Sequence, residues 1–185
     1  MTTQQHLKIG RLTALISFLL GTGIFGLYFL TSSSDLLFLG YGFIVLTGLI
    51  NLGILVAILF RANKDRENRK RLLKTSGLMF INIPVMLVYC WVAIILLGTM
   101  RITFTNDTGT QLTDIKIVGC AGGYIDKLES GESKTVWVTI TGDCSIYLDY
   151  LSNGQRKEEI VASYVTSSMG QKVNHKIDGK DKDIF

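Results

Sequence analysis

The residues whose side chains can do redox, metal or nucleophilic chemistry are few in this chain and far apart. Beyond residue 100 they are Cys120, Cys144, Met169 and His175, with Cys90 earlier in an apolar run. Two cysteines, one histidine and one methionine at such distances make a poor ligand set, because a copper or zinc site needs several donors brought together. In an oxidising compartment the two thiols pair instead. They would close a loop of about 25 residues, for a gain of about 3 kcal/mol in the chain-entropy account. Cys120 and Cys144 are therefore expected to form a structural disulfide, with a copper or redox pair as the alternative. Cys90, in Tyr89-Cys90-Trp91, is expected to be inert packing.

Other motifs carry less. No nucleophile-elbow, zinc or phosphate-loop pattern occurs, and nothing around His175 marks a triad. No catalytic residue, cofactor or metal is assigned, and a non-enzymatic role is expected. Asp178-Gly-Lys-Asp-Lys-Asp183 departs from the order of a calcium loop and reads as a polar tail over 178–185. Asn106-Asp107-Thr108 matches a glycosylation acceptor, but so short a match arises by chance and sits in a turn.

The elements that must position these residues begin in the membrane. Three apolar runs, about 12–31, 36–60 and 77–100, are each long enough to cross a hydrocarbon core of about 30 Å as a helix. Helix is required there, since lipid offers no partner to an unpaired backbone group. The first run opens like a signal peptide after the short tail 1–11. It is longer than a signal peptide's apolar region and lacks an Ala-x-Ala cleavage site, so a retained signal-anchor is expected.

Charge sets the orientation. The stretch 61–74 carries Arg61, Lys64, Arg66, Arg69, Lys70, Arg71 and Lys74 against two acids, whereas the 32–35 connection has one Asp and no base. The positive-inside rule places the N-terminus and this loop in the cytoplasm, where the bases set topology and touch lipid headgroups. Residues 101–185 then lie outside the cytoplasm, at the plasma membrane. Residues 1–100 hold nine Lys/Arg and three acids, and the remainder ten and twelve. The basic balance thus belongs to the membrane half, which argues against a nucleic-acid partner. No small-molecule substrate is evident.

Small and polar residues within the spans point to packing. Gly10, Ala14, Ser17 and Gly21 fall along one face of the first helix and let another helix approach. Asn51 and Asn82 need partners in hydrocarbon, met either by each other or, for Asn82, by a carbonyl freed by Pro84. No ionisable group lies in the spans to mark a transport path.

After residue 100 the period changes. Arg101–Thr105 already alternates, with no flexible tether before it. Asp114–Val118 and Thr135–Ile140 read as strands, Tyr124–Leu128 as a short edge strand, and Asn153-Gly154 as a type I′ hairpin turn. Strands over 101–177 separated by turns every 6–12 residues argue an antiparallel β-sandwich. With its segment Leu128-Glu129-Ser130-Gly131-Glu132-Ser133 before a central strand, this region resembles Ig-like sandwich modules of bacterial envelope proteins. The resemblance implies a fold and no catalytic or binding residue. The expectation is thus a three-helix membrane bundle followed by a small extracytoplasmic Ig-like sandwich, with the lipid bilayer and membrane-protein subunits as partners. An accessory or assembly subunit of a larger complex is expected; the alternative is a stand-alone envelope binding protein, of immunity or sensor type, that captures a peptide through a strand edge.

Overall fold

The computed structural model describes residues 2–178; the polar tail from residue 179 onward lies outside them. The chain forms two compact units, Met1–Ala93 and Ile94–Phe185.

Three helices dominate the first unit: α1 (Thr3–Thr31), α2 (Ser34–Lys64) and α3 (Arg69–Leu97). All three are long and apolar enough to cross a membrane. Their ends differ from the sequence reading for identifiable reasons. Thr2 and Gln5 form a reciprocal capping box, so α1 takes in most of the expected N-terminal tail. The basic stretch 61–74 is mostly helical rather than a loop, because Asp65 and Asn68 turn the chain in four residues between α2 and α3. Arg66 is the one base of that stretch outside a helix. At the far end α3 stops at Leu97, not residue 100, since Met100 is drawn into strand pairing opposite Val138 and buried.

Among the described residues the second unit has seven strands: β1 (Thr99–Asn106), β2 (Leu112–Val118), β3 (Gly123–Leu128), β4 (Ser133–Thr139), β5 (Cys144–Ser152), β6 (Gln155–Val165) and β7 (Lys172–Ile177). They form two sheets, ordered β4-β1-β7 and β3-β2-β5-β6. The wholly antiparallel expectation fails at one place: β7 runs parallel to β1, from Arg101 opposite Lys172 to Asn106 opposite Ile177. A parallel neighbour needs a long return path, and β2 to β6 supply it, four of them in the other sheet and β4 on the far side of β1.

Inward residues of both sheets share one core, with Met100, Ile102, Phe104 and Val138 from one and Leu112, Ile117, Ile146 and Leu148 from the other. The expected edge strand is β3, and Asn153-Gly154 turns with both φ positive, at 51° and 74°, as a type I′ turn requires.

Candidate functional site

Within the helical unit, α1 lies against both other helices. Gly10 is there because nothing larger fits: a Cβ would stand 2.5 Å from Ile58 Cδ1 on α2 and 2.8 Å from Thr75 Cγ2 on α3. Ala14 is buried beside it, in a cluster with Leu55, Ile58, Ala62, Leu72 and Met79. Ser17 Oγ accepts from Asn51 Nδ2 at 2.9 Å, and Gly21 faces the ring of Phe43. The four residues of that face thus serve packing inside the chain.

The asparagines do not find the partners expected of them. Asn51 and Asn82 do not bridge: Asn51 also donates to its own helix at Thr47 O, and Asn82 Nδ2 donates to Ala14 O at 2.9 Å. The close approach of α1 at Gly10 and Ala14 brings that carbonyl within reach, which removes any need for the carbonyl freed by Pro84. Pro84 sits inside α3 and, with Phe18, Val85, Val88 and Tyr89, lines an apolar groove of about 370 Å³. Further along, Tyr89 stacks on Phe25 at 4.4 Å and its hydroxyl pairs with Thr22 at 2.9 Å. In the sequence nothing sets Tyr89 apart, because an aromatic in an apolar run looks like any other.

At the turn between α2 and α3, the organising residue is an acid. Asp65 accepts from Thr3 Oγ1 at 2.6 Å, from the Asn68 backbone N–H at 3.1 Å and from the Asn68 side chain. Arg61 donates to Thr3 at 3.0 Å. The start of α1 is thereby tied to the turn. The Thr3 hydrogen bond, then that of Asn68, hold the Asp65 carboxyl below its usual range, with Arg61 adding to the effect. Lys64, Arg66, Arg69, Lys70, Arg71 and Lys74 surround this acid in sequence.

In the β unit Cys120 and Cys144 are joined, with Cα atoms 5.4 Å apart. The bond ties the β2–β3 loop to the start of β5. Gly119, at φ 97°, allows the approach, since any Cβ there would collide with the Ser145 carbonyl. Cys90 is a free thiol, half-buried in α3.

His175 is not isolated. Its Nε2 lies 3.0 Å from Glu159 Oε1, and Tyr150 OH donates to Glu159 Oε2 at 3.3 Å. Glu159 and His175 are 1% and 4% exposed. The Phe104 ring meets His175 edge-on at 5.9 Å. This cluster joins β5 and β6 of one sheet to β7 of the other. Its chemistry is that of a sealed polar bridge, a carboxylate accepting from two rings in the core. Glu159, at the end of the exposed run Arg156-Lys157-Glu158, gives no sign of burial in the sequence; only the switch to Val161 and Ala162 hints at it.

A second charged cluster is exposed. Asp114 sits at φ 49° where β2 slips its register against β5. The slip aims it at Arg156, which also binds Asp149 at 2.6 Å, while Lys116 lies 3.5 Å from Asp114. The Arg156 hydrogen bond holds Asp114 below the usual carboxylate range; Asp149 and then Asp114 raise the guanidinium. Every charge in the cluster already has a partner.

Asn106 is buried, and both amide hydrogens go to Thr110 O and Leu128 O. Met169 packs against the core, as the two disulfide cysteines do. Among the described residues no group of three His, Cys, Asp or Glu could hold a metal ion.

No protein-family model matches the chain, and no curated protein matches it either. An NMR structure of a protein from Eubacterium rectale is similar at 14% identity and a TM-score of 0.30, over 44% of this chain and 78% of that one.

Proposed function

We infer that the chain is a non-enzymatic integral protein of the plasma membrane, an accessory or assembly subunit whose helices pack against those of a larger complex. The observation that carries this reading is the helix surface left uncovered. Gly10 and Gly21 are consumed by contacts inside the chain, whereas Gly23 and Gly26 of α1 and Gly42, Gly48 and Gly53 of α2 have nothing within 4 Å of the space a Cβ would fill. A glycine facing lipid loses contact area, while against a second helix it lets two backbones approach closely.

The orientation rests on charge: bases flank the α2–α3 turn and not the α1–α2 turn, so that turn and the N-terminus face the cytoplasm and the β unit lies outside it. The disulfide suits an oxidising exterior. The Ig-like reading of the β unit is supported by two sheets closing on one core. Strand-edge capture by a stand-alone binder is favoured less. The long edge strand β6 opens with exposed Arg156, Lys157 and Glu158, charges that discourage pairing with another strand.

Extraction in mild detergent followed by native mass measurement tests the reading. Stable co-purifying subunits are expected, and Gly42→Leu with Gly53→Leu should release them. A monomer or small homo-oligomer overturns it. Protease added outside intact or permeabilised-envelope cells should cut the β unit and spare 61–74; cleavage in that stretch overturns the orientation.

A further inference from the structure

The β unit has two ends, and its strands assign each residue to one of them. At one end lie the start of β1, the end of β4 and the start of β7, and the residues flanking β4 and β7 bond to Leu97 and Gly98, where α3 ends. Ile140 N donates to Gly98 O at 2.8 Å, and Gly170 N to Leu97 O at 2.9 Å. Gly170 is required at that contact, since a Cβ would run into the Leu96 and Leu97 backbone. The other sheet brings the same end of its strands here: Ala121 N donates to Thr139 O at 3.0 Å, and the disulfide fixes the start of β5 beside that loop. The opposite end holds the turns around Asn106, Gly131 and Asn153.

Four large apolar side chains of the described strands stand about half exposed: Val118, Tyr124, Trp137 and Tyr164. All four lie at the helix end. Val118 is the last residue of β2, Tyr124 the second of β3, Tyr164 the last but one of β6, and Trp137 lies two residues from the end of β4. Two sheets contribute, so this is a ring around one end rather than a patch on one face.

Charge is distributed the opposite way. The charges at the ring end are bases: Lys172 opens β7 and is exposed, Lys116 lies two residues from the end of β2, and the buried Arg101 holds its guanidinium 5.6 Å from the centre of the Trp137 ring. Among the described residues Asp143 is the carboxylate in the loops at this end, and it accepts a hydrogen bond from Thr166. Asp107, Asp126, Glu129, Glu132 and Glu158 all lie towards the far end.

We propose that this ring is an interfacial anchor: Trp137, Tyr124, Tyr164 and Val118 sit in the phospholipid headgroup layer around the end of α3. Aromatic rings with one polar edge are suited to that layer, where an apolar body and a wet tip are both satisfied. The levels agree. Residues within two positions of a strand end stand about 7 Å along it, and each headgroup layer is roughly 5–7 Å deep. Exposed Ile94 and Ile95 on α3 place hydrocarbon-facing surface directly before it. The occupant is therefore lipid. The proposal requires α3 to span the bilayer and holds whichever side the β unit occupies, so it stands or falls separately from the subunit reading.

The full chain with Trp91→Phe, in phospholipid nanodiscs, leaves Trp137 as the reporter and the β unit unaltered. A lipid with a nitroxide on its headgroup should reduce Trp137 emission by at least half. With both native tryptophans replaced by Phe, Tyr124→Trp and Tyr164→Trp on the other sheet should respond alike. Acrylamide in water should quench all three at least three-fold less than a reporter placed by Asn153→Trp in the far hairpin. Acrylamide quenching equal to that at residue 153 at any ring position overturns the anchor. So does shielding from acrylamide with no response to the nitroxide lipid, the result expected if another protein covers the ring.

Discussion

The two units are nearly equal in length, yet among the described residues six buried apolar side chains make the core of the helical unit and seventeen that of the β unit. The helical unit instead turns Phe38, Leu46, Leu49, Phe60 and many others outward. In water such a surface would not be tolerated. In hydrocarbon it costs nothing, and burying it gains nothing, so helix contacts depend on close packing at small residues and on single hydrogen bonds. The β unit depends on burial, and it accepts a polar bridge in its core only because every member is paired. The same chain thus uses two different sources of cohesion, and substitutions should separate them.

The contrast breaks first at Glu159. Its replacement by Ala removes the carboxylate that His175 and the Tyr150 hydroxyl meet in the core and should cost the β unit about 3–5 kcal/mol. Urea titration in micelles of the Trp91→Phe chain, read by Trp137 emission, measures it. Glu159→Leu together with His175→Phe should recover most of the loss; a loss below about 1 kcal/mol for Glu159→Ala would mean the bridge holds nothing.

The disulfide comes next. Cys120→Ser with Cys144→Ser should lower β-unit stability by about 3 kcal/mol while the helical circular-dichroism signal keeps its thermal midpoint. A matched fall in both would show that the units do not melt separately.

Within the helices the comparison sharpens to two glycines. Gly10→Leu meets Ile58, Thr75 and Met79 and should cost about 1–3 kcal/mol by overpacking. Gly23→Leu enters open space and should leave the thermal midpoint of the isolated chain in micelles unchanged within error. Equal effects would erase the distinction between used and unused faces.

The smallest effect is a pH dependence at Asp65. Folding holds its carboxyl below the ordinary value of 3.8, so the ionised form favours the folded turn. That contribution is complete above the ordinary value and is lost as the pH falls through the lowered one. Amide exchange at Asn68, whose N–H the carboxylate accepts, should accelerate only in acid, and Asp65→Asn should abolish the pH dependence. An unchanged acid response in Asp65→Asn would assign it elsewhere.

Much of this was legible in the residues. Apolar length marked the spans, Asn153-Gly154 marked its hairpin, and the spacing of Cys120 and Cys144 fitted a bond. What could not be read was whatever depends on a partner distant in the chain. The parallel pairing of β7 with β1 has no local signature, because β7 carries the same alternation in either direction. Asn82 bonds to Ala14 O rather than to Asn51, since the approach of α1 at Gly10 decides which carbonyl is near. Glu159 and His175 each look like surface residues until two sheets close over them. Asp65 was outnumbered by bases in sequence, but the turn is built on its two oxygens.

Asn106 has a consequence for timing. It is fully buried, with Nδ2 committed to Thr110 O and Leu128 O and Oδ1 taking the Thr108 N–H and hydroxyl. A glycosyltransferase needs that nitrogen free and the strand around it extended, so the acceptor exists only before the β1–β2 turn closes and β3 arrives. Expressed into a glycosylating lumen, the chain would record on Asn106 how long it stayed open: sugar occupancy becomes a stopwatch for the folding of the β unit.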